Sequence, residues 1–249
     1  MIAALKAEVL KVLTIRSTYF IIGIALAIEI FVTFYISGWQ TDQVALHQPD
    51  MLANGIAQTV HALSLLTALI GLFLVTHEFR YNTVAYSLTL SNNRSKVLAA
   101  KIIVVSVVAI ILTLLIATLS PLLSLLGIHA NHLHLVTQSM PYKNLLWRCL
   151  FYGWGYSMAG LVIAALVRNQ IGALVTLFIV PGTIEGLLML WLKHHVVYLP
   201  FSALNVVIGH GQGVYPNAIT PFHAALVFGG WLIGGSIIAW VLFIRRDAN

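Results

Sequence analysis

Charge is what this sequence has least of. Of its 249 residues 8% are Asp, Glu, Lys or Arg, while 60% are hydrophobic and the mean hydropathy is +0.95. Soluble domains carry about 25% charge, because they need a hydrated surface. This chain lacks one, and its apolar exterior is suited to lipid. A single cysteine, Cys149, excludes an internal disulfide. No G-x-x-x-x-G-K-[ST] run is present, so the chain has no P-loop to cradle a nucleotide phosphate. The net charge of +6 is not gathered on a soluble module, and no nucleic-acid partner is expected. The first apolar stretch is too long for a signal-peptide core and lacks a small-residue cleavage site, so it reads as a retained span.

Long apolar runs are what the chain does have. Six stretches, 19–38, 59–76, 102–123, 145–167, 170–191 and 221–244, suit the crossing of a bilayer core. Such a core is roughly 30 Å thick and is crossed at about 1.5 Å per residue. The second is short and has room to extend back through Ala53. The expected fold class is an all-α membrane protein, a single transmembrane domain over 1–249 with six transmembrane helices. Ten of the thirteen Lys and Arg residues fall on one side if both termini are cytoplasmic, leaving Lys143, Arg148 and Lys193 outside. That bias predicts a multi-pass protein of the cell membrane with both ends inside.

Two further segments flank this frame. Over 1–18, Ile2, Leu5, Val9 and Val12 recur at helical spacing, with Lys6, Glu8, Lys11 and Thr14 between them. This reads as an amphipathic interface helix whose basic residues meet anionic lipid, or as a polar flank of the first span. The connection 192–220 contains VVYLPFSALNVVIG, too short and too broken by Pro200 to cross. It is expected to form a re-entrant or interfacial segment before the last span. Arg168-Asn169-Gln170 marks a tight turn between spans four and five.

The segment between spans two and three reads LVTHEFRYNTVAYSLTLSNNRSKVLAAK. It has Glu-Phe-Arg closing a span, a Thr three residues later, a short apolar stretch, an Arg, then Ala-Lys opening the next span. The start ALKAEVLKVLTIRSTYF, the Arg-Asn-Gln turn, Glu185 late in span five and YLPFSALN complete an ordered set. Over nearly its whole length the chain resembles the permease subunit of type-2 ABC exporters. One departure is Ser91, Asn92 and Asn93, where such segments often carry a proline.

The resemblance implies a short coupling helix within 78–95 that docks into a groove on a separate ABC ATPase subunit. Glu78, Arg80, Thr83, Arg94 and Lys96 would be its coupling residues. It also implies a dimer with a second permease copy, identical or not, and no cofactor in this chain, since ATP and Mg would be bound by the ATPase. No catalytic residue is expected here. Val84, Tyr86, Leu88 and Leu90 alternate as in a strand, but an isolated strand at the membrane surface leaves its edges unpaired, which favours the helix. A plainer reading makes Arg80, Arg94 and Lys96 topology-setting charges.

Inside the membrane, Glu29 lies about 15 Å deep in the first span, where an acid is a functional candidate or a packing contact. Glu185 and Arg148 lie within a few ångströms in depth, which predicts a structural salt bridge, or a gate at the outer exit. Pro181-Gly182 interrupts span five, as a static bend or a hinge. Gly182 with Gly186, and Gly230 with Gly234, are small-xxx-small pairs for a dimer seam or for packing within the chain.

Other functions are weaker matches. A metal- or haem-handling protein would use His129-x-x-His132-x-His134 and His194-His195, yet no cysteine joins them and no metal site is expected. A secondary transporter would need paired broken helices in inverted halves, and only span five is visibly broken. Gly155-Tyr156-Ser157-Met158 with His223 suggests a serine protease, but the two side chains differ by about 15 Å in depth. An amphiphile, a peptide or a lipid-like cargo suits a cleft between apolar helices.

Overall fold

Backbone amides in lipid have no water to bond, so a chain this apolar must close its hydrogen bonds within helices. The protein is described by a computed structural model over residues 2–81, 94–135, 142–209 and 219–245, and helix is the only regular structure among them. In chain order come α1 (Ile2–Thr14), α2 (Arg16–Ile30) running on as a π-helical stretch (Phe31–Trp39), α3 (Gln43–Leu46), α4 (Met51–Arg80) and α5 (Arg94–Ala130). Then follow α6 (Tyr142–Val167), α7 (Gln170–Ile179), a π turn (Val180–Ile184), α8 (Glu185–Leu192), a 3₁₀ turn (Lys193–Tyr198), α9 (Pro200–Ile208) and α10 (Pro221–Arg245). Six helices are long and apolar enough to cross a membrane: Arg16–Trp39, Met51–Arg80, Ser95–Ala130, Tyr142–Val167, Gln170–Leu192 and Pro221–Leu242.

The centre of the bundle is the α4–α6 pair. A Cβ on Gly71 would strike the carbonyl of Ser157, and one on Gly160 would strike the carbonyl of Ala68. Two helices meeting on small residues approach closely and gain dispersion contacts along their length. Leu63, Leu72, Met158, Leu161 and Ala164 fill the seam. By contrast α2, α7–α8 and α10 leave large apolar side chains exposed, among them Phe20, Ile171, Trp191 and Phe222.

Hydrogen bonds define the two ends. At the near end Arg80 donates to Gln170 Oε1 (3.0 Å), Arg168 to the Leu242 carbonyl (2.7 Å) and the Trp240 indole to Ser95 Oγ (3.0 Å). The α6–α7 turn forms there as expected, with Arg168 at φ 57° and the Asn169 side chain capping Gly172 N–H. At the far end Asn131 Nδ2 donates to the Trp39 carbonyl (2.8 Å).

The connection after α8 does not stay on the far rim. Tyr152 donates to Asn205 Oδ1 (3.0 Å), and the Trp231 indole donates to the Tyr198 carbonyl (2.8 Å). Both Tyr152 and Trp231 lie ten residues inside the far ends of α6 and α10, counted from Tyr142 and Pro221. At about 1.5 Å per residue the segment therefore enters the bundle by about 15 Å. Phe201, Ala203, Leu204 and Val207 of α9 are buried there.

α1 is helical as expected, but part of its charged face turns to the protein. Glu8 is buried and Lys11 half-buried against the protein, while Ile2, Val9, Leu10 and Leu13 are exposed; Ala4 is buried, and Leu5 and Val12 pack toward the core. Glu8 and Lys11 turn inward because partners of opposite charge await them on α5 and α4, whereas Lys6 and Thr14 stay exposed.

Proline acts differently in two spans. Pro181 has no N–H to give Leu177, and the helix takes up the lost register as the π turn Val180–Ile184. Pro121, which the sequence reading did not single out, lies inside α5 without ending it.

Candidate functional site

Three segments converge at the near end on four charged side chains. Glu8 and Lys11 come from α1, Glu78 from the last turn of α4 and Lys101 from the start of α5. Lys101 Nζ donates to Glu8 Oε2 (2.9 Å), Glu78 Oε1 (2.8 Å) and the Leu74 carbonyl (3.1 Å). Lys11 Nζ donates to Glu8 Oε1 (2.7 Å) and also to Glu78 Oε1. Lys101 is 1% exposed and Glu8 2%, so these two charges rely on their partners rather than on water. Two acids against two bases make the cluster neutral, and every member is hydrogen-bonded, the conditions under which buried charge is tolerated. Burial alone would lower the Lys11 pKa, but the Glu78 and Glu8 carboxylates outweigh it and hold the ammonium above the ordinary lysine range.

This quartet ties α1 to the two helices between which 82–93 is hung. The sequence reading placed Glu78 among surface coupling residues, whereas its carboxylate points inward to the cluster. Arg80 is exposed, bonded to Gln170 and lying over the Tyr81 ring at 5.6 Å. Lys96 is exposed, and Arg94 opens α5. Thr83 and the expected coupling helix lie outside the described residues, apart from the flanking ends 78–81 and 94–95. Glu8 and Lys101 were not singled out from the sequence. The available signal was a lysine inside the apolar opening of a span, facing an acid three residues from a lysine in α1.

In the far half, Glu185 is buried and fully engaged. Its carboxylate accepts from Phe201 N–H (2.9 Å), Ser202 N–H (2.6 Å) and Ser202 Oγ (2.7 Å). The first N–H groups of a helix have no partner within it and carry partial positive charge, so Glu185 satisfies the start of α9. The expected Glu185–Arg148 salt bridge does not form, and Arg148 Nε is buried with no partner among the described residues. Equal depth along two helices does not bring side chains onto facing sides, and the α9 terminus offers donors in direct contact.

Glu29 is buried at 0% exposure with neither carboxyl oxygen hydrogen-bonded among the described residues. A Cβ at Gly182, Gly186, Gly230 or Gly234 would meet nothing within 4 Å, so these glycines do not mediate packing within the described chain. His129 and His134 have ring centroids 6.2 Å apart, and no group of three or more His, Cys, Asp or Glu side chains converges among the described residues. Ser157 is buried in α6, whereas His223 is exposed at the mouth of α10.

The family model described as ABC-2 family transporter protein matches residues 4–182, more than two thirds of the chain. The chain belongs to the ABC-2 transporter family. No curated protein matches it significantly. The matched stretch of this ABC-2 transporter protein takes in the charge quartet, the 82–93 segment and Glu29, and ends at Gly182. Glu185, α9 and α10 lie beyond it.

Proposed function

We propose that this ABC-2 transporter chain is the permease of an ATP-driven exporter, working as a dimer with a separate ABC ATPase that holds ATP and Mg. The observation that carries the reading is the quartet. Glu78 precedes 82–93 on α4, Lys101 follows it on α5, and both are bonded to α1, so a push on that segment is transmitted to α1, α4 and α5 together. With ten basic residues against three at the two ends, the near end is the cytoplasmic one. Arg80, Thr83, Arg94 and Lys96 then face the ATPase or lipid headgroups, and Glu78 relays from behind them.

ATP binding would close the ATPase pair and move 82–93, shifting the permease between two packings of similar energy. The α4–α6 pair, locked backbone to backbone, is the fixed body. The sparsely buried α2, α7–α8 and α10 are the parts free to rearrange, and the open glycines on α8 and α10 offer a seam for the second copy. The Glu185–α9 contact keeps the far side closed. An amphiphilic cargo fits an apolar path of this kind.

The test is affinity purification of the detergent-solubilised chain from its native membrane, followed by mass spectrometry. A stoichiometric ATPase with a Walker sequence, lost on Arg94→Glu, is the expected result. A chain that purifies alone, with transport driven by a proton gradient, would overturn the reading in favour of a secondary transporter.

A further inference from the structure

One buried acid serves neither the quartet nor α9. Glu29 sits on α2, wholly enclosed, with both carboxyl oxygens unpartnered among the described residues. The hydroxyl of Thr33 bonds the Glu29 backbone carbonyl (2.5 Å), not the carboxyl. α2 and its π stretch pack against α4 and α5. The charged and titratable side chains of those helices are occupied elsewhere or lie at the ends. His61 stacks on Tyr152, and His77 on Phe73; Glu78 and Lys101 belong to the quartet. Arg80 bonds Gln170, Lys96 is exposed, and His129 contacts the Leu125 carbonyl.

A second feature adjoins it. Between the first three spans lies a small, partly open apolar pocket lined by Ile21, Ala25, Leu26, Thr67, Ile70 and Ile116, among others, and Glu29 itself stands just past its lining. Ala25 lies one turn before Glu29 on the same face of α2, about 6 Å along the axis. Helical side chains lean toward the turn preceding their own Cα, which here is the turn that lines the pocket. Just beyond Glu29 the helix changes to π register over Phe31–Trp39, a local irregularity that often accompanies a functional site.

We propose that Glu29 and this pocket form the holding site for cargo, and that the cargo is a cationic amphiphile. Its apolar body enters the pocket, which widens as α2 moves, and its ammonium or guanidinium group pairs with the Glu29 carboxylate. An unpaired acid among apolar side chains is strongly unfavourable, and a cation supplies the partner that the described residues do not. Neutral amphiphiles leave the carboxyl unpaired, and anionic ones add a second negative group. The Glu29 carboxyl is enclosed in the conformation described. The site opens by displacement of α2, whose outer face carries the exposed Tyr19, Phe20, Ile24 and Ile28. The α4–α6 pair is left intact by that movement. This inference rests on the permease reading, because a holding site implies cargo.

The test uses the purified full chain in nanodiscs, without ATPase, and reads the thermal unfolding midpoint. The probes are dodecylammonium, dodecanol and dodecanoate, equal in chain length and different in charge. Dodecylammonium is expected to raise the midpoint of the wild type by several degrees and the other two not to raise it. Glu29→Gln should abolish the cation-specific shift and Glu29→Asp should keep part of it. Equal shifts with all three probes, no shift with the cation, or an undiminished shift in Glu29→Gln would each overturn the proposal. The wild-type comparison of three probes stands even if a variant fails to fold. Copurification of an ATPase is read separately, so failure at Glu29 with an ATPase present refutes the cargo class and leaves the permease intact.

Discussion

Replacing Lys101 by methionine keeps its reach but removes the ammonium that Glu8, Glu78 and the Leu74 carbonyl share. Two carboxylates are then left in a buried site with Lys11 as their remaining cation. Losing one partner of a buried ion pair costs about 3–5 kcal/mol, so Lys101→Met should lower the Tm of the solubilised protein markedly. Adding Glu8→Gln should restore part of it, with a coupling of about 0.5–3 kcal/mol in the double-mutant cycle. The sign of the Lys11 contribution follows from its raised pKa. It is fully present below the unfolded lysine value of 10.5 and is lost as pH rises through the higher folded value. Proteolysis between α1 and α2 should therefore accelerate only above about pH 10.5 in the wild type, and at neutral pH in Lys11→Met. At Glu185 the outcome separates two readings. Glu185→Ala strips partners from two buried N–H groups, at about 1–3 kcal/mol. Arg148→Met should leave stability nearly unchanged, which a Glu185–Arg148 bridge would forbid.

At the scale of elements, the glycines sort into two kinds. Gly71→Leu or Gly160→Leu would drive a side chain into the backbone of the facing helix and should prevent recovery of folded protein. Gly182→Leu and Gly234→Leu meet open space and should leave the monomer's Tm unchanged. Fluorescence-detected gel filtration of the four variants checks this contrast. The same contrast shows where the sequence was readable. Six spans, the Arg168 turn and the interruption at Pro181 follow from hydropathy and proline chemistry, which act along the chain, so they could be seen in it. Which glycines are packed depends on helix azimuth and partner, which hydropathy does not carry. Gly71 and Gly160 passed unnoticed, whereas Gly182, Gly186, Gly230 and Gly234 stood out by spacing yet touch nothing within the chain. The quartet was hidden for the same reason. Its members stand 93 and 67 residues apart in its longest bonds, and each one alone reads as an ordinary flanking charge.

The molecule as a whole is unevenly consolidated. In the most apolar stretch of α4 and of α6, 67% of residues are buried; in that of α10 the share is 11%. A membrane protein with one dense side and one bare side either shows the bare side to lipid or covers it with another chain, and the exporter reading takes the second course. Cys149 is buried and is the sole cysteine, so introduced thiols report contacts with little background. On that reading, Cys149→Ser carrying Gly234→Cys or Gly186→Cys should form disulfide-linked dimers in membranes on oxidation, and the Gly71→Cys control should not. Absence of dimers from every thiol placed on α8 and α10 would move the seam to α2.

The Glu185 contact has a consequence for biosynthesis. Glu185 precedes Phe201 by sixteen residues and Ser202 by seventeen. When it leaves the ribosome, the amides that will receive it are still in the exit tunnel. The fifth span thus reaches the translocon before the donors of its acid, at a cost of a few kcal/mol that is recovered once α9 folds back beside it. A chain cut between Leu192 and Pro200 should therefore hold its fifth span less firmly in the membrane than the full chain does, which alkali extraction of the two would show.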